Sequence, residues 1–263
     1  MKCEQDALNS RVRIGPQRGT PAHGRLPYIH HKHRTDRRAR PDRALAPPTP
    51  MTELWLIRHG ETDWNRIRRL QGWTDIPLNE HGRFQAASLA ERLREEALAG
   101  PFHAIYSSDL QRAFDTARPA AEALELRIRP EPGLRERCYG VLEGLTVDAI
   151  DGAQPEAAAA WRSREPHRAI EGGETLRQFH DRGAATVDDA IRRHAGERVL
   201  IFTHGGALDI VWRHAQGIAL TRPRDSALLN AGINRVAVSE GKWHIMGWGD
   251  VAHIEEKAKD DVF

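Results

Sequence analysis

The sequence predicts an α/β sandwich built on a mostly parallel sheet. Three observations lead there. Short apolar runs alternate with amphipathic stretches from Met51 onward, the pattern of strands crossed over by helices. Two of those runs, Glu53–Ile57 and Arg198–Phe202, are apolar on both faces, as inner strands of a parallel sheet must be. Both stop at a histidine followed by glycine, His59-Gly60 and His204-Gly205.

Taken in order, the first strand Glu53–Ile57 leads into a loop from Thr62 to Leu78. A helix begins near Glu80, with Ala86, Ala90, Leu93 and Ala97 on one face. Phe102–Tyr106 reads as a second strand and Asp109–Leu124 as a second helix. Leu126–Arg129 is a third strand, closed by Pro130. Leu134–Glu171 reads as a loop-rich insertion. Thr175–Ala195 has the spacing of a long helix, with Leu176, Phe179, Val187, Ala190 and Ile191 inward and Gly196 ending it. Arg198–Phe202 is the next strand, and Thr203-His204-Gly205-Gly206 opens a helix. A hairpin, Ile233–Val238 and Trp243–Trp248, turns at Glu240-Gly241.

Residues 1–50 differ in kind. They carry eleven Lys/Arg against four Asp/Glu, a balance of +7, rich in His and Pro. Since the whole chain sums to +2, residues 51–263 hold −5, so a basic phosphate site in the body has to be local. We expect a disordered basic tail, because such composition buries too little to offset ordering entropy. Glu4 and Asp6 with no amphipathic pattern argue against a transit peptide. The plainer reading starts the natural protein at Met51, which stands directly before the first strand. The body, 51–263, is expected to be a single domain.

Two cysteines, Cys3 and Cys138, cannot build a disulfide framework. A reducing, cytoplasmic setting is the expectation. No run approaches the roughly 18 apolar residues of a membrane span. Acidic body charge without aromatic–basic interleaving argues against a nucleic-acid partner. No Cys/His/Asp spacing suggests a metal.

The chemistry sits where strands end. In a parallel sheet, ligands gather beyond the carboxyl ends. Either histidine alone reads as a hydrogen-bonded loop residue. Paired at equivalent strand ends 145 positions apart, they read as one site. Arg58 offers a planar fork suited to phosphate oxygens, Gly60 lets the backbone approach a ligand, and Gly205 opens a helix whose N–H groups favour anions. Ser107-Ser108-Asp109-Leu110-Gln111-Arg112 is a third strand-to-helix junction, with Arg112 in the first helical turn. Leu134-Arg135-Glu136-Arg137 supplies a carboxylate fit for acid–base work.

Together these residues resemble the histidine phosphatase superfamily, the phosphoglycerate mutase-like family. The resemblance spans about residues 53–250 and rests on four motifs in the family's order: Arg-His-Gly-Glu-Thr-x-Trp-Asn (58–65), Ser-Ser-x-Leu-x-Arg-Ala-x-x-Thr (107–116), Leu-x-Glu-x-x-x-Gly-x-x-Glu-Gly (134–144) and Thr-His-Gly-Gly (203–206). It implies a three-layer α/β/α sandwich. It implies His59 as the nucleophile, Arg58, Arg112 and a cationic His204 on the phosphoryl oxygens, and Glu136 as proton donor. Gly60, Asn65, Gln71, Gly72, Arg137 and Gly205 are expected to line the substrate pocket.

The family holds phosphatases and 2,3-bisphosphoglycerate-dependent mutases. A mutase resemblance would require a Lys where Val147 stands and an Arg-Arg pair where Trp161-Arg162-Ser163-Arg164 stands. Glu171-Gly172-Gly173-Glu174-Thr175 and Gln71-Gly72-Trp73 look like the phosphatases, whereas Glu136-Arg137-Cys138-Tyr139-Gly140 is close to the mutases. The expectation is therefore a phosphomonoesterase acting on a small phosphorylated metabolite, as a monomer or homodimer. It needs no cofactor, 2,3-bisphosphoglycerate entering only if it is a mutase. A non-catalytic phosphate-binding module is the remaining alternative. Trp64, Trp73, Trp161 and Trp212 are expected to be packing residues, Arg66, Arg68 and Arg69 a solvated loop face, and His180 and His214 cover for the core edge.

Overall fold

A computed structural model describes residues 50–254. The tail expected over residues 1–50 and Cys3 lie outside the described residues, except for Pro50.

The first strand is β1 (Thr52–Arg58), and its side chains divide the core. Leu54 and Leu56 enter one cluster, Trp55 and Ile57 another, as the two-residue period of a strand dictates. The remaining strands are β2 (Ala104–Ser107), β3 (Ile128–Pro130), β4 (Arg198–Thr203), β5 (Ile233–Ser239) and β6 (Lys242–Asp250), in the order β3-β2-β4-β1-β5-β6. β1 to β4 run parallel, and β5 and β6 add an antiparallel edge. Two helices, α2 (Glu80–Ala99) and α3 (Gln111–Ala123), cover the face carrying Trp55, Ile57, Ile105 and Phe202. On the other face α6 (Leu176–Arg193) and α7 (Gly205–Gln216) meet Leu54, Leu56, Val199 and Ile201. The result is the expected three-layer sandwich. Each fully buried Leu or Ile in these layers contributes about 1.5–3 kcal/mol relative to exposure.

Two boundaries and two segments depart from the sequence reading. β2 starts at Ala104 rather than Phe102, whose ring meets Trp55 edge-on at 5.2 Å. β3 runs to Pro130, which an edge strand tolerates because no further ladder bond is asked of it. Inside the expected Thr62–Leu78 loop lies a single turn, α1 (Asp63–Arg66), where Thr62 and Asn65 cap each other's backbone in a reciprocal box. The insertion expected to be loop-rich contains α4 (Ile150–Ala153) and α5 (Pro155–Ser163). Proline at the first position of α5 suits a helix start. Leu70, Leu142, Val147, Ile150, Ala158 and Ile170 form this subregion's own apolar cluster.

The parallel register places Arg58 beside Thr203. The residues just beyond, His59 and His204, therefore leave the sheet side by side at its carboxyl edge.

Candidate active site

The backbone of His59 is held from three sides. Its N–H donates to Thr203 O at 2.9 Å, and its carbonyl accepts from Asn230 Nδ2 at 3.1 Å. The next N–H, of Gly60, donates to Thr116 Oγ1 at 2.9 Å. Gly60 itself differs from expectation. A Cβ there would stand 2.6 Å from the carbonyl oxygen of Gly82. Glycine is required by the close pass of α2, and Gly60 is not on the cavity wall.

The His59 ring is buried, and its Nδ1 lies 2.7 Å from Gly60 O. A carbonyl can only accept, so Nδ1 carries the proton and Nε2 keeps its lone pair. Burial, then the positive charges of Arg112 and Arg58, hold this imidazole well below the ordinary histidine range. His204 is the residue before α7, and its Nε2 lies 2.8 Å from Ser108 Oγ. The ring centroids of His59 and His204 are 5.2 Å apart. Burial first, then Arg112, His59 and Arg58, also push His204 well down. A desolvated setting and two guanidiniums thus work against the His204 cation expected from sequence. Its Nδ1 is buried without a hydrogen-bond partner.

Arg58, His59, Arg112 and Glu136 meet at a cavity of about 50 Å³. At roughly 30 Å³ per water, that is room for a phosphoryl group and little more. Asn65, Gln71 and Gly72 line it as expected, and Arg69, Leu70, Tyr139 and Trp161 complete the wall. Arg58 donates from Nη1 to Leu228 O at 2.6 Å. Arg112 donates to Gly72 O at 2.7 Å and Thr74 O at 3.1 Å. Burial pulls the Arg112 guanidinium down to about 10 although Glu136, Asp75 and Glu143 act against it, so it stays charged at neutral pH.

Glu136 is fixed by two backbone donors. Arg137 N–H reaches its Oε1 at 2.8 Å, and Gly206 N–H in the first turn of α7 reaches Oε2 at 2.9 Å. Burial raises its carboxyl above the ordinary glutamate value, against those two bonds and the arginines. A carboxyl biased toward its protonated form, beside a lone pair, is equipped to deliver a proton.

The sequence reading assigned no role to several supporting groups. Glu143 accepts from the N–H groups of Trp73, Thr74 and Tyr139 and from Thr74 Oγ1. It thereby shapes the loop whose carbonyls hold Arg112. Trp73 Nε1 and Arg182 Nη2 both donate to Glu136 O. The Glu-Gly pair at 143–144 was the available signal, but a half-buried loop-bracing carboxylate has no sequence pattern.

Other expectations move. Arg137 faces a larger cavity of about 360 Å³, which adjoins the small one along Tyr139 and Trp161. Gly205 lines neither cavity, and Gly206 takes the contact with Glu136 instead. Trp161 packs half-buried against the Leu70, Leu142 and Ile150 cluster as expected and also lines both cavities, while Trp212 meets Trp248 with tilted rings 4.7 Å apart. Arg66 and Arg68 are exposed as expected, but Arg69 turns onto the phosphoryl-sized cavity. Among the described residues, no group of three or more His, Cys, Asp or Glu is arranged to hold a metal. No described helix is long and apolar enough to cross a membrane.

The model of the histidine phosphatase superfamily (branch 1) matches residues 54–251. The chain belongs to that superfamily. Among known proteins, phosphoglycerate mutase-like protein 4 of Arabidopsis thaliana is 38% identical over 207 residues, covering 78% of this chain and 87% of that protein. The metal-independent phosphoserine phosphatase of the same plant is 39% identical over 207 residues, covering 78% and 84%. Among solved structures, Bacillus stearothermophilus YhfR superposes with a TM-score of 0.69 at 35% identity, covering 78% of this chain and all of that one. This histidine phosphatase superfamily member is thus an enzyme of the phosphoglycerate mutase-like type.

Proposed function

We propose that the protein is a phosphomonoesterase that works through a phosphohistidine at His59. The observation carrying this reading is the tautomer of His59. Gly60 O fixes the proton at Nδ1 and leaves the Nε2 lone pair at a phosphoryl-sized cavity beside Arg58, Arg112 and Glu136. In the first step Nε2 attacks phosphorus, the P–O ester bond breaks, and Glu136 gives its proton to the departing oxygen. In the second, water attacks the phosphohistidine and loses its proton to Glu136, and phosphate leaves with His59 neutral again. Phosphoryl transfer needs mainly position and charge compensation, which Arg58 and Arg112 supply. Ser108 Oγ accepts from Leu110 N–H at 3.3 Å, so its own proton is available to His204 Nε2. With Nε2 accepting, the ring N–H of His204 is at Nδ1, a donor for a phosphoryl oxygen. An arriving phosphoryl dianion also reverses the local charge and favours protonating His204. No step requires a metal.

Phosphatase is favoured over mutase by what stands where a mutase needs extra cations. Val147 is buried in the apolar cluster with Leu142 and Ile150. Arg162 is exposed and paired with Asp151, and Arg164 is committed to Asp209 and Leu220 O. The phosphoserine phosphatase relative agrees with the hydrolytic reading. The decisive assay is p-nitrophenyl phosphate hydrolysis by wild type and His59→Ala, with acid-labile phosphoprotein trapped by rapid quench. We expect label on wild type only and no turnover in the variant. Near-wild-type turnover by His59→Ala would overturn the assignment. Interconversion of 2- and 3-phosphoglycerate with added 2,3-bisphosphoglycerate, faster than phosphate release, would make it a mutase.

A further inference from the structure

The larger cavity holds about 360 Å³, the space of about a dozen waters at roughly 30 Å³ each. A three-carbon alcohol fills a fraction of it. Leu176, Phe179 and Ile210 make one wall apolar. Asp209 on the same lining is out of keeping with them. It is only 6% exposed. Its Oδ2 accepts from Arg213 Nε at 2.8 Å and Arg164 Nη2 at 3.2 Å. Its Oδ1 is buried and has no hydrogen-bond partner among the described residues. Leaving a buried acceptor without a donor costs about 1–3 kcal/mol, a cost that a ligand's donor removes.

Position relates Asp209 to the chemistry. Gly206 N–H holds Glu136, and Asp209 lies three residues on, roughly 5–6 Å along the same face of α7. An alcohol whose ester oxygen sits at Glu136 reaches Asp209 with a hydroxyl a few carbons away. Charge selects the kind of donor. Arg137, Arg164 and Arg224 line the cavity as well, so an ammonium meets repulsion that a neutral hydroxyl does not.

We infer that the leaving alcohol is a polyol or sugar larger than three carbons, one hydroxyl of which donates to Asp209 Oδ1. The inference rests on the phosphomonoesterase reading above. Three esters of equal chain length separate its parts: a hexitol phosphate, n-hexyl phosphate and 6-aminohexyl phosphate, with p-nitrophenyl phosphate as reference. Wild type should prefer the hexitol ester over n-hexyl phosphate by at least about tenfold in kcat/KM, since sites built for a hydroxyl reject analogues lacking it. In Asp209→Ala no acceptor remains at that point of the wall; Asn does not serve, because a hydroxyl can also accept from its NH₂. The hexitol to n-hexyl ratio should then collapse toward one, with vanadate affinity reporting an intact phosphoryl site. A wild-type ratio near one, a preference for the aminohexyl ester, or an Ala variant keeping the wild-type ratio overturns the inference. If Asp209→Ala does not fold, the wild-type ratios alone decide. Absence of any p-nitrophenyl phosphate hydrolysis refutes the phosphomonoesterase reading instead.

Discussion

The imidazoles of His59 and His204 stand 5.2 Å apart, tilted by 57°, each tied by a different nitrogen. Nδ1 of His59 is held at Gly60 O and Nε2 of His204 at Ser108 Oγ. His59 opposes protonation of His204, and burial with Arg112 and Arg58 opposes protonation of both. A neutral nucleophile is thus built into the fold rather than set by solution pH.

That arrangement makes stability depend on pH with a defined sign. In the unfolded chain both rings titrate near pH 6.5. In the folded chain both lie well below it. Below pH 6.5 the unfolded chain therefore binds protons that the folded chain does not, and stability present above that pH is lost as pH falls. Glu136, raised in the fold, acts oppositely, stabilising below about pH 4.5 and losing that contribution as pH rises through its folded value. Thermal midpoints should drop between pH 7 and pH 5.5, and His204→Gln should flatten the drop. His253, also lowered by burial, contributes equally to both proteins and cancels in the difference. Parallel slopes in the two proteins would contradict the account.

Arg112 has two jobs that lysine cannot share. Its planar fork braces Gly72 O and Thr74 O while its charge faces the phosphoryl-sized cavity. Arg112→Ala should lower kcat/KM for p-nitrophenyl phosphate by roughly 10²–10³-fold or more, the scale of losing one transition-state donor. Arg112→Lys should recover little of it, because a point charge does not reproduce the fork. Steady-state kinetics of both variants test this, and a lysine variant close to wild type would show that charge alone suffices.

The strands that end in His59 and His204 were legible in sequence because inner parallel strands are apolar on both faces, and so each ends abruptly at its polar site. α5 was not legible. Its inward residues Ala157, Ala158 and Ala160 give little periodic contrast, and the cluster they complete draws on Leu70 and Leu142, distant in sequence. Gly60 and Gly206 show the same limit at the site. Residue type announces a close approach, but what approaches, the Gly82 carbonyl or the Glu136 carboxyl, is decided by tertiary packing. Asp209 carries no motif at all. Its interest comes from one oxygen left over after two arginines have taken the other.

Glu136 should be separable from the phosphoryl-binding groups by leaving group. Nitrophenolate departs without a proton, whereas an aliphatic alkoxide does not. Glu136→Gln should therefore give a burst of about one nitrophenol per site, followed by slow turnover because no base activates water. With an aliphatic ester it should give no burst. Vanadate affinity should persist, since Arg58 and Arg112 remain. Stopped-flow absorbance decides it. A variant without a burst that also fails to bind vanadate would place Glu136 in binding rather than proton transfer.

Glu143 makes a different kind of prediction, because it touches no reacting atom. Its Oε1 accepts from the N–H groups of Trp73 and Tyr139, its Oε2 from the N–H and hydroxyl of Thr74. All are donors, so Glu143→Gln sets an NH₂ group against one of these pairs and leaves half-buried donors unanswered. That costs about 1–3 kcal/mol and loosens the loop bearing Gly72 O and Thr74 O, the two braces of Arg112. We expect a lower thermal midpoint together with a fall in kcat/KM, and recovery of part of the rate, but not the midpoint, at saturating substrate. A purely structural role would lower the midpoint and leave kcat/KM of the folded fraction at the wild-type value. A double-mutant comparison with Arg112→Ala separates the two. If Glu143 acts through Arg112, adding Glu143→Gln to Arg112→Ala costs little further activity, because residues sharing one interaction are not additive.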